Sequence, residues 1–105
     1  MHNFELVASC PEVIGAVVSN QVGALLQSAG EIDAETVGAV LSYATQSLAT
    51  AGESMGLGEL GRIVVSGGKR TCIITLRQEE ILGVYVDSSR PLPSFEKKMD
   101  ELLQR

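Results

Sequence analysis

The sequence predicts an α+β fold: a five-stranded antiparallel sheet with one long helix on one face and short terminal helices on the other. Three observations carry this. Between positions 33 and 55 apolar residues fall at Val37, Val40, Leu41, Ala44, Leu48, Ala51 and Met55. That is the i, i+3, i+4, i+7 spacing of a helix with one buried stripe. Before and after it lie short β-branched segments joined by turn residues, as antiparallel hairpins require. Within the later segments both alternate sets of side chains are partly apolar, which indicates a sheet covered on both faces.

Residues 4–9 read as one or two helical turns capped by Asn3, and Pro11 ends them. Residues 12–18 are rich in Val and Ile and read as a strand. Residues 19–23 supply a turn, with Asn20 and Gly23 suited to positive φ. Residues 24–28 return as the second strand, and Ala29-Gly30 ends it. Asp33 caps the long helix with Thr36 in its first turn, and Gly56 is a natural stop. Residues 62–66 form a third strand, Gly67-Gly68 a tight turn, and residues 70–77 the return strand. There Cys72, Ile74 and Leu76 alternate with Thr71, Ile73 and Thr75. Gln78-Glu79-Glu80 turns the chain into a last strand, 81–86. A loop over 87–93 leads to an amphipathic helix over 94–103, with Phe95, Met99, Leu102 and Leu103 inward.

Composition excludes several classes of function. A chain of 105 residues has the length of one domain and can bury a real core. A net charge of −5, with Lys69-Arg70 and Lys97-Lys98 as isolated pairs, disfavours nucleic acid as a partner. No apolar run approaches the roughly 20 residues of a membrane span. The opening Met1-His2-Asn3-Phe4-Glu5 lacks the regions of a signal peptide. A cytoplasmic location without membrane insertion is expected, with Cys10 and Cys72 as reduced thiols. His2 is the only histidine, and no Cys, His and carboxylate cluster has metal-ligand spacing. No catalytic residue, metal or cofactor is therefore expected. The stretch Gly56-Leu57-Gly58-Glu59-Leu60-Gly61 matches G-x-G-x-x-G, but a helix precedes it and a strand follows. Dinucleotide binding needs the reverse order, so that phosphates meet a helix N-terminus. Gly67-Gly68-Lys69-Arg70-Thr71 lacks the spacing of a phosphate loop and reads as a hairpin turn.

Every residue from Thr36 to Gly52 is uncharged. A surface helix should carry Lys, Glu or Arg opposite its apolar stripe. Here that side shows Ala39, Ser42, Gln46, Ala49 and Thr50, flanked by Gly38, Thr45 and Gly52. The expectation is that the apolar stripe seals the chain's own sheet and the small, neutral side meets a partner chain. The plainer alternative is a mildly polar solvent face.

These features resemble the roadblock or dynein light-chain domains. The resemblance rests on Pro11-Glu12-Val13-Ile14-Gly15-Ala16-Val17-Val18, the turn to Gly23, and Ala29-Gly30 leading through Asp33-Ala34-Glu35 into the long helix. Leu57-Gly58-Glu59-Leu60 and the strand 81–86 ending in Asp87 complete it, over nearly the whole of one domain, 1–105. The departure is a first helix of only about two turns, where family members usually have a longer one. The resemblance implies profilin-like layers and a homodimer whose third strands pair into a ten-stranded sheet, with the two long helices side by side. On that implication Gly38, Ser42, Thr45, Ala49 and Gly52 admit a second helix within about 8 Å. Ile63, Val64 and Val65 lie on the paired edge, whose exposure would otherwise invite uncontrolled association.

Glu35, Ser42, Gln46, Thr50 and Glu53 are then candidate contacts for a third protein. Members of the family serve as scaffolds and regulators, often of Ras-like small GTPases, and some bacterial ones activate GTP hydrolysis by a partner. The resemblance thus implies a non-catalytic homodimeric interaction module, paired with itself or a paralogue, that binds and regulates a small Ras-like GTPase. The alternative is a structural adaptor without effect on GTP turnover. A donated arginine would be Arg62, Arg70, Arg77 or Arg90, and reshaping the partner with no donated residue is equally open. A small-molecule sensor is opposed by an aliphatic core without convergent polar groups.

Overall fold

A computed structural model describes residues 1–104. In chain order the elements are α1 (Phe4–Ala8), β1 (Val13–Asn20), β2 (Leu25–Gly30), α2 (Ala34–Ser54), β3 (Arg62–Ser66), β4 (Arg70–Arg77), β5 (Glu80–Asp87) and α3 (Leu92–Leu103). The five strands form one antiparallel sheet in the order β2-β1-β5-β4-β3. β2 and β3 are therefore opposite edges, and α2 carries the chain from one to the other. Four inter-strand spacings come to about 19 Å. A helix of 21 residues is about 30 Å long, enough to span that width, and it packs chiefly on β1, β2 and β5.

The expected layers are present. On one face Phe4 and Val7 of α1 and Phe95, Met99 and Leu103 of α3 pack on Ala16, Val18, Ile73, Leu82, Val84 and Val86. On the other, Leu41 of α2 packs on Val17, Ile74 and Ile81, with Val37, Ile63, Cys72 and Leu76 at the margin. Neighbours in sequence, such as Val17 and Val18 or Ile73 and Ile74, thus go to opposite cores. This two-sided burial is why the strands alternate so weakly. Gly83 sits directly under Leu41: a Cβ there would lie 2.8 Å from Leu41 Cδ1. The missing side chain lets the helix settle onto the sheet.

Several local expectations shift. Asn3 precedes α1 with φ 68°, but its side chain does not cap the helix; its Nδ2 donates to the Leu102 carbonyl of α3 at 3.0 Å. Asn20 belongs to β1, and only Gly23 of the following turn has positive φ, 88°. Asn20 contributes its side chain instead, Oδ1 accepting from the N–H groups of Val22 and Ala24 at 3.1 and 2.9 Å. Ala29 and Gly30 continue β2, with Gly30 opposite Gly15. A Cβ on Gly30 would stand 2.4 Å from the Ile14 carbonyl oxygen, so only glycine fits. Gly68 and Lys69 form the tip of the β3–β4 hairpin, closed by the Gly67 N–H donating to the Arg70 carbonyl at 2.9 Å. α3 begins at Leu92, because a first helical turn tolerates the missing N–H of Pro93.

Both ends of α2 are built as expected. Asp33 accepts from the Thr36 N–H at 3.3 Å and from its hydroxyl at 2.8 Å. At the other end Gly56 has φ 76°, its N–H donates to the Glu53 carbonyl and the Leu57 N–H to that of Gly52, both at 3.0 Å. That pair of bonds is the Schellman closure, so the glycine-rich stretch ends a helix.

Candidate interaction surface

The faces of α2 are divided differently from the expectation: Val37 and Leu41 of the apolar stripe reach the chain's own core, and Ala39, Gln46 and Thr50 of the opposite side are exposed, but the small residues between them turn inward. Gly38, Ser42, Thr45 and Gly52, assigned to a partner helix, are buried in the chain itself, and Ala49 is half-buried. Gly38 faces the Gly23 carbonyl and Ser19, each 3.6 Å from where its Cβ would be. The Ser42 hydroxyl donates to the Gln21 carbonyl in the β1–β2 turn. Gly38 and Ser42 thus bring the helix against β1 and this turn. Of the apolar stripe Leu41 alone is buried. Val40 is 58% exposed, Leu48 43% and Met55 72%. Ala51 is exposed too, and Val37 and Ala44 are half-buried. Tyr43, on neither expected face, stands in solvent. α2 therefore presents an uncharged apolar flank that nothing among the described residues covers. Large residues on a flank and small ones at the closest approach were the available signal. Periodicity alone does not say which of the two stripes faces inward.

At the inner margin of this flank Val37 packs against the same core as Ile63, Cys72 and Leu76 of β3 and β4. β3 is an open edge, as expected. Gly61 accepts from the Leu76 N–H at 3.0 Å and Gly67 donates to Arg70, so the odd-numbered positions of β3 bond inward to β4. Arg62, Val64 and Ser66 consequently aim their N–H and C=O groups outward. Val64 and Val65 are exposed and Ile63 is half-buried. The register with β4 is unbroken from Arg62 to Ser66. The other edge differs: between Val18 and Ser19 the register with β2 shifts, leaving Leu26 without a partner. Such a bulge blunts an edge against added strands. β3 is thus the regular edge.

Arg62 is fastened to the chain's own α3. Its Nη1 donates to Asp100 at 3.1 Å and Glu96 at 3.3 Å, its Nη2 to Asp100 at 2.5 Å, and its Nε to the Thr75 hydroxyl at 3.2 Å. The hydrogen bond to Asp100 raises its pKa further above the arginine range. Arg77 donates to the Leu103 carbonyl at 2.7 Å. Of the arginines considered for donation, Arg70 and Arg90 remain, beside Asp87 at the far end of the sheet.

The residues expected to touch a third protein lie on the flank of α2 toward the β1–β2 turn. Glu35, Gln46, Thr50 and Glu53 are exposed, whereas Ser42 is buried and turned inward. Gln46 Nε2 donates to the Gln21 carbonyl at 2.7 Å and to Ser42 Oγ at 3.3 Å, and the Thr50 hydroxyl to the Gln46 carbonyl at 3.3 Å. This strip is polar and partly tied to its own helix. Among the described residues no group of three His, Cys, Asp or Glu is placed to hold a metal, and no helix is long and apolar enough to cross a membrane.

A sequence model described as the roadblock/LC7 domain matches residues 2–85. No curated protein matches the sequence. Solved structures match the fold across the chain. MglB of Myxococcus xanthus is 16% identical with a TM-score of 0.84, over 92% of this chain and 82% of that one. A roadblock/LC7 domain from Streptomyces avermitilis is 19% identical with a TM-score of 0.82, over 95% and 87%. The gliding protein MglB from Thermus thermophilus is 11% identical with a TM-score of 0.83, over 95% and 79%.

Proposed function

The chain belongs to the roadblock/LC7 domain family, and from that premise we propose that it is a homodimeric interaction module that binds and regulates a Ras-like small GTPase. The observation that carries the reading is that one chain has both an open, regular edge at β3 and an apolar flank of α2 exposed to solvent. A second copy related by a twofold axis would extend the sheet through β3 and bury Leu48, Met55 and Val65. Removing that apolar surface from water contributes about 25 cal/mol per Å² before the costs of association. The two α2 helices would then lie side by side, leaving Glu35, Gln46 and Thr50 on the outer rim for the GTPase.

No arginine lies on α2, and Arg62 and Arg77 are engaged within the chain. Regulation is therefore by holding or reshaping the partner's switch segments, rather than by an arginine supplied from the helical platform. The test uses purified chain and the Ras-like GTPase encoded nearest to it, loaded with GTP, following complex formation and phosphate release. Binding with altered hydrolysis supports regulation. Binding with unchanged hydrolysis favours a structural adaptor, and absence of binding removes the GTPase from the reading.

A further inference from the structure

Beside the start of β3 lies an open groove of about 460 Å³, formed by the second half of α2, the 58–61 segment and the β4–β5 turn. Glu53 and Glu59 line it together with Ala49, Leu60, Leu76 and Gln78, and no Lys or Arg among the described residues does. At the other end of the same strand, the hairpin tip carries Lys69 and Arg70, both exposed. One edge strand thus has an acidic recess at its beginning and a basic projection at its end.

We infer that the groove receives the β3–β4 hairpin tip of a second copy of this chain, with Lys69 and Arg70 of each copy meeting Glu53 and Glu59 of the other. This rests on the dimer reading above and specifies its register. In a twofold antiparallel pair, facing residues must point to the same side of the sheet, so some residue of β3 lies opposite itself. The outward-bonding residues are Arg62, Val64 and Ser66. Only a pairing centred on Val64 matches all of them with outward-bonding residues of the partner's strand, Arg62 with the partner's Ser66. Val65 then packs against the partner's Ile63 on the α2 side. Carried past the strand ends, the same register sets Gly61 beside the partner's Gly67 and brings Glu59 toward the partner's Lys69. A lysine's long flexible stem and an arginine's planar fork suit a recess edged by carboxylates. The strand itself presents no unpaired charge to its copy, because Arg62 is held by its own Asp100 and Glu96. The charges at the two ends thus set the register, and the neutral middle supplies the contact.

The experiment is sedimentation velocity on the purified chain and two charge-reversed variants, with far-UV circular dichroism to confirm the fold. Lys69→Glu/Arg70→Glu should raise the dimer dissociation constant by about tenfold or more, the scale of several rim charge pairs acting together. Glu53→Lys/Glu59→Lys should weaken the dimer as much, although it brings the acidic chain close to neutrality. Net charge alone predicts the opposite. An equimolar mixture of the two variants should dimerise about as tightly as wild type, since each reversed tip then meets a reversed groove. A wild-type dimer that neither reversal weakens overturns this inference and leaves the dimer standing. A monomeric wild type removes both.

Discussion

Arg62, the first residue of the open edge strand, grips Asp100 of α3 with two guanidinium nitrogens, at 3.1 and 2.5 Å. The contact ties the open edge strand β3 to the helix on the opposite side from α2. Both side chains are partly wet, so the pair is worth about 0.5–1 kcal/mol rather than the value of a buried bridge. A double-mutant cycle of Arg62→Ala and Asp100→Ala, read by urea unfolding, should return a coupling of that size. Arg62→Lys should lose most of it, because an ammonium cannot bond both carboxylate oxygens in the same fork. A coupling indistinguishable from zero would show the strand to be held by β4 alone.

The orientation of α2 is tested by contrasting its two sides. Leu48→Glu and Val65→Glu place a charge where the chain is exposed, so unfolding free energy should change by no more than about 0.5 kcal/mol. Each should drive a dimer to monomers, because the carboxylate would be buried only in the assembly. Thr45→Glu should behave differently, destabilising the single chain by about 3 kcal/mol or more, since Thr45 is already 5% exposed. Equal behaviour of the three in thermal melts would mean that the helix faces are not as described.

Two glycines should respond in opposite directions. Gly30→Ala puts a side chain at φ +84° and 2.4 Å from the Ile14 carbonyl oxygen, both intolerable to alanine. A loss of at least about 2 kcal/mol follows. Gly52 lies within α2, and nothing stands within 4 Å of the Cβ it lacks. Gly52→Ala should therefore gain about 0.5–1 kcal/mol from helix propensity. Differential scanning calorimetry of the two variants decides both.

Burial pushes the Cys72 thiol from 9.0 up to about 11, with the hydrogen bond to Tyr85 pulling part of the way back. The folded chain holds this proton to higher pH than the unfolded chain does. Stability is therefore unaffected well below pH 9.0 and falls as pH rises from there toward about 11. Burial raises the Cys10 thiol too, in the same sense. Melting temperature should decline over that alkaline interval, and Cys72→Ala should flatten the decline. At about pH 8 iodoacetamide should alkylate Cys72 far more slowly in the native protein than in urea, since the thiolate is the nucleophile. Fast native alkylation would contradict the described burial.

Much of the architecture was legible because its signals are local. β3 and β4 occupy the residues their β-branched runs and the Gly67-Gly68 turn indicate, and α2 runs between its Asp33 cap and its Gly56 stop. The apolar sets of β4 indicated a sheet covered twice, which the two cores bear out. The shortfalls were equally local in form but not in cause. Asn3 reaches Leu102, 99 positions away, instead of capping its own helix. Pro93 starts a helix where a loop was expected, because its missing N–H is harmless in the first turn.

By itself the sequence determined the layers, the hairpin pairs, the neutrality of the long helix and the family resemblance, all of which rest on neighbours or on short periods, whereas the β1–β5 pair joins distant strands. Only the tertiary structure decided the rotation of α2 about its own axis. A large apolar stripe and a small-residue stripe both repeat with the helical period, so either can face inward. The choice falls to groups distant in the chain: the Gln21 carbonyl that takes the Ser42 hydroxyl, the Gly23 turn beneath Gly38, and Gly83 beneath Leu41. Of the apolar stripe they bury Leu41, over Gly83, and not Val40 or Leu48. The large apolar residues are left outside, where a second chain can cover them.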